Sequence, residues 1–543
     1  MAMKPGVPAP YGRACLSCVQ TKCKCITRAE GGCERCHRLT KDCQRPASSR
    51  RKSTRKLTTP TPPQISTPSS SDTLSNASST KTPNSLSDIF CNQDLPILSM
   101  LEAEEYLNIF RTQKLQFLPF LHLCPSISAA QLQRERPFLW ICIMAISVRS
   151  TTQQIEISRT VRLNLSRLML LELEIDVDLL LGLLVFLAWT NCQIQGKQAL
   201  SIFTQMAVSL VHDLGLNKSV ENGYAEVFNL YSFGYQEPSK YTARTMEERR
   251  AVLGCFLVSS MASKFLQRLD TLKWTPYMDE CLDVLIREKE VPADEIFVQQ
   301  VKLQLIAERA VQVSAGKKDS GFVDTSKAPV AFYIKALQSQ IEQVLENVDF
   351  ESPSRFISLL HMHSTSLLIH GIGFSKTPIP SADDSNMQRI ERLYASFNSA
   401  KSWLDIFLAI PTTAYVGFPF SIFAQLMRAL VALFELSTLE DPAWDTSLVR
   451  GSTDVMLILD QIIANMQQAG SVQTMGMRAT KENNFDRAAE TFLGIRARWR
   501  LKLPEPRVNP SFIIEPGSGE VDQVPWNLPE HWGFSDIFTS WDH

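Results

Sequence analysis

Six N-terminal cysteines use one spacing twice: Cys15-x2-Cys18-x6-Cys25 and, after seven residues, Cys33-x2-Cys36-x6-Cys43. A thiolate is a soft ligand that holds zinc at about 2.3 Å, and two residues between cysteines let both sulfurs of a turn reach one ion. Two tetrahedral ions are satisfied by six thiolates when one sulfur from each half bridges both. Such a site is closed to water, and closed all-sulfur sites are structural, so the segment reads as a scaffold and not as an active site. Two other arrangements stay open. Cys15, Cys18, Cys33 and Cys36 alone would make a one-zinc ribbon that leaves Cys23, Cys25 and Cys43 unexplained. Cys23 could also replace Cys25, which breaks the repeat; otherwise it is a free thiol beside the cluster.

The whole segment, CLSCVQTKCKCITRAEGGCERCHRLTKDC, resembles the fungal binuclear zinc cluster DNA-binding domain. The resemblance implies zinc as cofactor, two ions per chain, with Cys15 and Cys33 bridging, Cys18 and Cys25 completing one ion and Cys36 and Cys43 the other. It also implies recognition of CGG triplets in double-stranded DNA. Lys22 stands four residues after the second cysteine, where the family's lysine contacts guanines, and a lysine can donate to guanine O6 and N7. Lys24 matches a basic position used on phosphate, and we assign Arg35, Arg38 and Lys41 to further backbone contacts. The sequence departs from the family at Val19 and Thr21, where arginine or lysine is usual, and at Gly31-Gly32, where a proline commonly precedes the fourth cysteine.

Charge supports a nucleic-acid partner. Residues 1–56 hold fourteen basic and three acidic side chains, so the remainder of a chain with formal charge −1 carries −12. A basic surplus on a small module suits a phosphate backbone, where each neutralised phosphate releases counterions. Arg50, Arg51, Lys52, Arg55 and Lys56 form a run that serves as a nuclear localisation signal or a DNA-backbone arm. Seven of the thirteen cysteines lie in the head and the first residues lack a secretory apolar core, which points to a reducing compartment and to the nucleus. The longest apolar runs, 138–148 and 179–189, fall short of the roughly twenty residues that span a bilayer, so no membrane partner is expected.

The elements around this head are mostly α. We read 11–47 as the zinc cluster domain, 48–90 as a basic and then Ser/Thr/Pro-rich disordered linker, 91–502 as a large all-α regulatory domain and 503–543 as an acidic, aromatic tail. Helical periodicity places an apolar stripe at Leu98, Leu101, Tyr106, Ile109 and Phe110, helices buried on all sides at 138–147 and 179–189, and a helix at 196–216. The inner face of that helix is Leu200, Phe203, Ala207, Leu210 and Leu214, with Gly215 near its end. Further helices are expected at 330–345, 356–372, 390–407, 418–436, 454–466 and 486–501. Segments 180–217 and 247–285 resemble the fungal transcription-factor middle homology region, and Glu247-Glu248-Arg249-Arg250 reads as a solvated helix start. Arg268 and Lys273 are surface charges or the lining of an effector pocket.

His122, His212, His361, His363 and His370 occur without a phosphate-binding glycine loop, HExxH or GxSxG, so the domain is not read as an enzyme. In the tail, Phe534, Ile537, Phe538 and Trp541 have the i, i+3, i+4, i+7 spacing of groove binders. That suits coactivator docking, or docking back on the helical domain. The segment 44–86 has no heptad repeat, so a homodimer would form through the large domain. The expected function is a sequence-specific transcription factor; its resemblance to regulators of this build implies CGG-type half-sites and target genes of a metabolic, or secondary-metabolite, pathway. The alternative is a zinc-containing interaction scaffold without DNA specificity.

Overall fold

The computed structural model describes residues 14–15, 17–18, 21, 23, 25–28, 32–43, 99–189, 192–219, 243–266, 271–315, 330–346, 355–371, 383–474 and 483–503. Lys22, Lys24, the basic run at 50–56, the linker, Arg268 and the tail beyond Leu503 lie outside the described residues. The chain divides into two compact units, Met1–Lys81 and Thr82–His543.

In the first unit an isolated antiparallel bridge joins Thr27 to Cys33. Cys33 then caps the short helix α1, Glu34–Arg38, its sulfur accepting from the Cys36 amide at 3.4 Å. Backbone hydrogen bonds repeat at an offset of eighteen residues: Thr21 N donates to Ser17 O as Leu39 N does to Arg35 O, and Cys23 N to Cys18 O as Lys41 N does to Cys36 O. The duplicated cysteine spacing is therefore a duplicated backbone path.

The described residues of the second unit are helical and contain no strand. The first seven of its helices are α2 (Met100–Ile109, running into a π-turn at Phe110–Lys114), α3 (Ala129–Glu135), α4 (Pro137–Ser147), α5 (Thr151–Ser166), α6 (Val177–Trp189), α7 (Cys192–Asp213) and α8 (Met246–Leu266). After them come α9 (Pro276–Glu288), α10 (Ala293–Ala315), α11 (Val330–Leu345), α12 (Arg355–His370) and α13 (Asp383–Ala409). A 3-10 turn at Thr412–Gly417 leads to α14 (Phe420–Ser437), α15 (Thr446–Ser452), α16 (Val455–Thr474) and α17 (Asn484–Arg500).

Helices α4 and α6 are apolar on every face and pack against each other at the centre of the first core. Their junction carries a polar lock. Pro137 opens α4 without an N–H, and the next two amides, Phe138 and Leu139, donate to Asp178 of α6 at 2.9 and 3.1 Å. Burial raises the Asp178 carboxyl to about 6, against the pull of those two bonds. Helix α7 buries Leu200, Phe203, Ala207 and Leu210 as its periodicity predicts. It stops where Gly215 takes a φ of +64° and Leu216 N donates back to Val211 O at 2.9 Å, the bonding of a Schellman cap.

Two expectations are corrected. Leu101 is 83% exposed, and α2 buries Ala103, Tyr106, Leu107 and Phe110 instead, which is the true i, i+3, i+4, i+7 face. The start of α8 is not solvated throughout. Thr245 and Glu248 form a reciprocal cap, but Arg250 is 3% exposed. It donates to Asp294 at 2.7 and 2.9 Å and to Glu290 at 2.7 Å. Helical phase places position 250 on the buried side of α8, and the carboxylates of the α9–α10 junction offset the cost of burying its charge.

A second core lies in the C-terminal half around Trp403, Phe407, Tyr415 and Phe418. The 3-10 turn joins it to the N-terminal half, since Lys114 Nζ donates to Val416 O and Trp189 Nε1 to Gly417 O, each at 2.9 Å. Among the described residues α14 is long and apolar enough to cross a membrane, at 18 residues and mean hydropathy 1.5, but 67% of it is buried inside the unit. It is a core helix.

Candidate metal centre

Each half of the head presents its cysteines in the same local way. The C-x2-C pair lies on a short turn, and the third cysteine returns to it after the turn has closed on itself through the repeated amide bonds. The sulfurs of Cys15, Cys18, Cys25 and Cys33 lie within 4.8 Å of one another, and so do those of Cys15, Cys33, Cys36 and Cys43. Cys15 and Cys33 belong to both sets. The Cys15–Cys33, Cys15–Cys36 and Cys18–Cys33 separations are 3.8, 3.6 and 3.7 Å. A tetrahedron with bonds of 2.3 Å has an edge of about 3.8 Å, so the spacings fit metal–thiolate geometry. The donor set could hold metal ions.

The electrostatics are those of thiols sharing a small space. Burial tends to raise the Cys33 thiol, but the Cys36 amide and the neighbouring sulfurs outweigh it and bring the thiol down to about 6. Burial and the Cys15 and Cys33 sulfurs push Cys43 up to about 12, and burial likewise raises Cys18. Cys23 belongs to neither set; it is exposed and its sulfur donates to Thr21 O at 3.3 Å.

Arg38 and Lys41 are exposed. Arg35 is half-buried, and its guanidinium donates at 2.8 Å to the hydroxyl of Thr21, which itself donates to Ser17 O at 2.8 Å. Thr21, one of the positions where the sequence departs from the resembling family, is thus a brace between the two halves. No spacing rule exposes a contact between residues fourteen positions apart in the chain. In the second unit His361 is buried against Gln425, His363 is half-buried, and Lys273 is exposed. Among the described residues no His, Cys, Asp or Glu set outside the head converges on a metal-sized space.

The sequence is similar to two family models: the WAR1 C-terminal domain over residues 75–364 and the ATEG07667_C C-terminal domain over residues 412–526. The first span contains both segments that resemble the middle homology region. The chain is 33% identical over 531 residues to "Transcription factor opdL" of Penicillium oxalicum, covering 92% of this chain and 91% of that protein. It is 28% identical over 430 residues to a "Transcription factor" of Aspergillus terreus, covering 74% and 63%. It is 26% identical over 438 residues to "Transcription factor himD" of Aspergillus japonicus, covering 75% and 70%. No solved structure matches the chain.

Proposed function

Because the chain belongs to the family of fungal transcription factors that these relatives represent, and is a regulator and not an enzyme, we propose that its head reads DNA and its helical unit governs that reading. In the proposed centre, Cys15, Cys18, Cys25 and Cys33 hold one zinc ion and Cys15, Cys33, Cys36 and Cys43 the other. The ions supply rigidity, since binding and folding of so small a site are one event. The observation that carries this reading is the sharing of Cys15 and Cys33 by two sulfur sets, which a one-zinc ribbon does not need.

On this reading Lys22 donates to guanines of a CGG half-site, and Lys24, Arg38 and Lys41 contact phosphates. The basic run at 50–56 directs the chain to the nucleus, the acidic tail recruits coactivators, and any homodimer forms through the helical unit. The regulated genes are those of a metabolic pathway. A mobility-shift comparison of the full chain on CGG-containing and scrambled duplexes tests it. Lys22→Ala is expected to cost about 1–3 kcal/mol on the CGG duplex and to relax base preference; equal losses on both duplexes restrict Lys22 to phosphate. One observation favours the scaffold alternative: Arg35 is tied to Thr21 inside the head. Absence of any sequence preference at physiological salt selects that alternative.

A further inference from the structure

Helix α5 packs on α4, burying Ile157, Val161 and Leu165, and leaves its other side to solvent. At its C-terminal end the helix widens into a π-turn, Arg167–Glu172. Leu168 and Met169 of that turn pack on the first core, but the aliphatic residues around them do not. Leu163, Leu170, Leu171 and Leu173 are 53–79% exposed, and Ile175 follows at 38%. Elsewhere among the described residues no stretch of that length exposes more than two large hydrophobic side chains, so the patch is a feature of this face and not of the surface in general.

Leu173 ends the turn with φ +56° and ψ 29°, the left-handed conformation that glycine or asparagine takes at helix ends and that a bulky side chain adopts at a cost. Its side chain is mostly exposed, so little apolar contact within the unit offsets that cost. Contact with a second surface does. The turn that presents it is braced, Arg167 Nε donating to Glu172 Oε1 at 2.5 Å. Charge then selects the surface. Arg159, one helical turn before Leu163, and Glu174, next to Leu173, are exposed, and neither side chain has an ion pair or hydrogen bond among the described residues. In an antiparallel pairing about a two-fold axis, the register that sets Leu163 against Leu170 of a second copy also sets Arg159 against its Glu174, because both pairs are centred between residues 166 and 167.

We propose that this face joins two copies of the chain, with Leu163, Leu170, Leu171 and Leu173 packed across the axis and Arg159 paired with Glu174 of the second copy at each end. Each copy offers apolar surface on the order of 500 Å², in the range where a patch on a monomer is functional. Two such patches face to face bury about 1,000 Å² before any polar rim is counted, the size at which a specific interface begins. The acidic tail is the poorer occupant, since Glu172, Glu174 and Asp176 alternate with the aliphatic residues and would meet its carboxylates. The proposal deepens the reading that any homodimer forms through the helical unit by naming the face and its register, and it does not rest on how the head reads DNA.

Sedimentation equilibrium of the full chain without DNA, at fixed ionic strength and micromolar concentration, tests the face. A mass of two chains is expected. The double variant Leu170→Glu, Leu171→Glu changes exposed side chains only, so it is expected to keep the far-UV helical signal and to sediment as a monomer. Arg159→Glu is expected to weaken the dimer severalfold, and adding Glu174→Arg to it is expected to restore the affinity, a reversal that the proposed register requires. The charge exchange decides the matter where the leucine variant fails to fold. A chain that stays monomeric at tens of micromolar overturns the proposal and gives the patch to another partner or to the chain's own tail. So does a dimer that survives Leu170→Glu, Leu171→Glu, or a charge exchange that fails to restore affinity. Because no readout uses DNA, any of these failures is distinct from a failure of the head to read a half-site.

Discussion

Cys33 does three jobs in the head: its sulfur caps α1, lies 3.8 and 3.7 Å from the sulfurs of Cys15 and Cys18, and belongs to both candidate metal sets. Under the proposed assignment Cys33→Ser removes a ligand from both ions at once, so both are expected to leave and the head to unfold. Cys23→Ser, at an exposed sulfur outside both sets, is expected to keep two. Native mass measurement of zinc per chain checks this, and one retained ion in Cys33→Ser would show that the bridge is not there. His361 gives a prediction of a different kind. Burial holds its folded-state value near 4, against an ordinary 6.5, so between those values the unfolded chain binds more protons and stability falls as the pH drops. From pH 7 to pH 4.5 this residue should contribute a loss of about 2 kcal/mol, absent in His361→Gln. Urea unfolding of the two chains at both pH values measures it, and parallel losses would mean that His361 is reached by protons in the folded state. Metal-ligand spacing was legible in the sequence because coordination fixes it locally. The Arg250–Asp294 pair was not, because nothing near Arg250 in the chain names a partner forty-four residues away.

Helices were legible for a related reason: their periodicity is a local property. The structure has α11 at Val330–Leu345 and α17 at Asn484–Arg500, against expected spans of 330–345 and 486–501. Where apolar residues occur on more than one face, as in α2, the pattern names the helix but leaves its buried side ambiguous, and Leu101 went the other way. Least legible were the irregular turns that join the two cores, because their reason for existing lies some 300 residues apart in the chain. Gly417 shows why. A Cβ there would stand 1.9 Å from Gln113 O and 2.8 Å from Phe117 Cε2, and its own carbonyl accepts from Trp189. The close approach leaves no room for a side chain, and a backbone oxygen cannot rotate away. Gly417→Ala should therefore destabilise the helical unit by about 3 kcal/mol, at or above the upper end of ordinary overpacking. The expected signature is a lower urea midpoint with an unchanged slope; an unchanged midpoint would show that the 3-10 turn does not bear on the π-turn.

On the scale of the whole chain, charge and burial divide the molecule in the same way. The first 56 residues carry the basic surplus and the rest the compensating acid, and the buried cysteines of the head form a cluster apart from the helical cores. Among the described residues the head's cluster is almost entirely cysteine, with Ala14 as the partly buried apolar neighbour. Without a metal it therefore has little hydrophobic surface to offset the entropy of ordering. The helical unit buries two extensive apolar cores and contains no converging metal-ligand set among its described residues. A thiol-competent chelator should consequently act on one unit only. If the head holds zinc and reads DNA as proposed, metal release is expected to abolish binding to a CGG duplex while the far-UV helical signal falls by no more than a small fraction, since α1 is five residues long. The thermal midpoint of the helical unit should stay where it was. Readdition of zinc should restore DNA binding in proportion to the ions regained, reaching its full value at two per chain. Loss of the helical signal together with the metal would mean that the head holds the larger unit folded, and the separation of a metal-built reader from a hydrophobically built regulator would have to be abandoned.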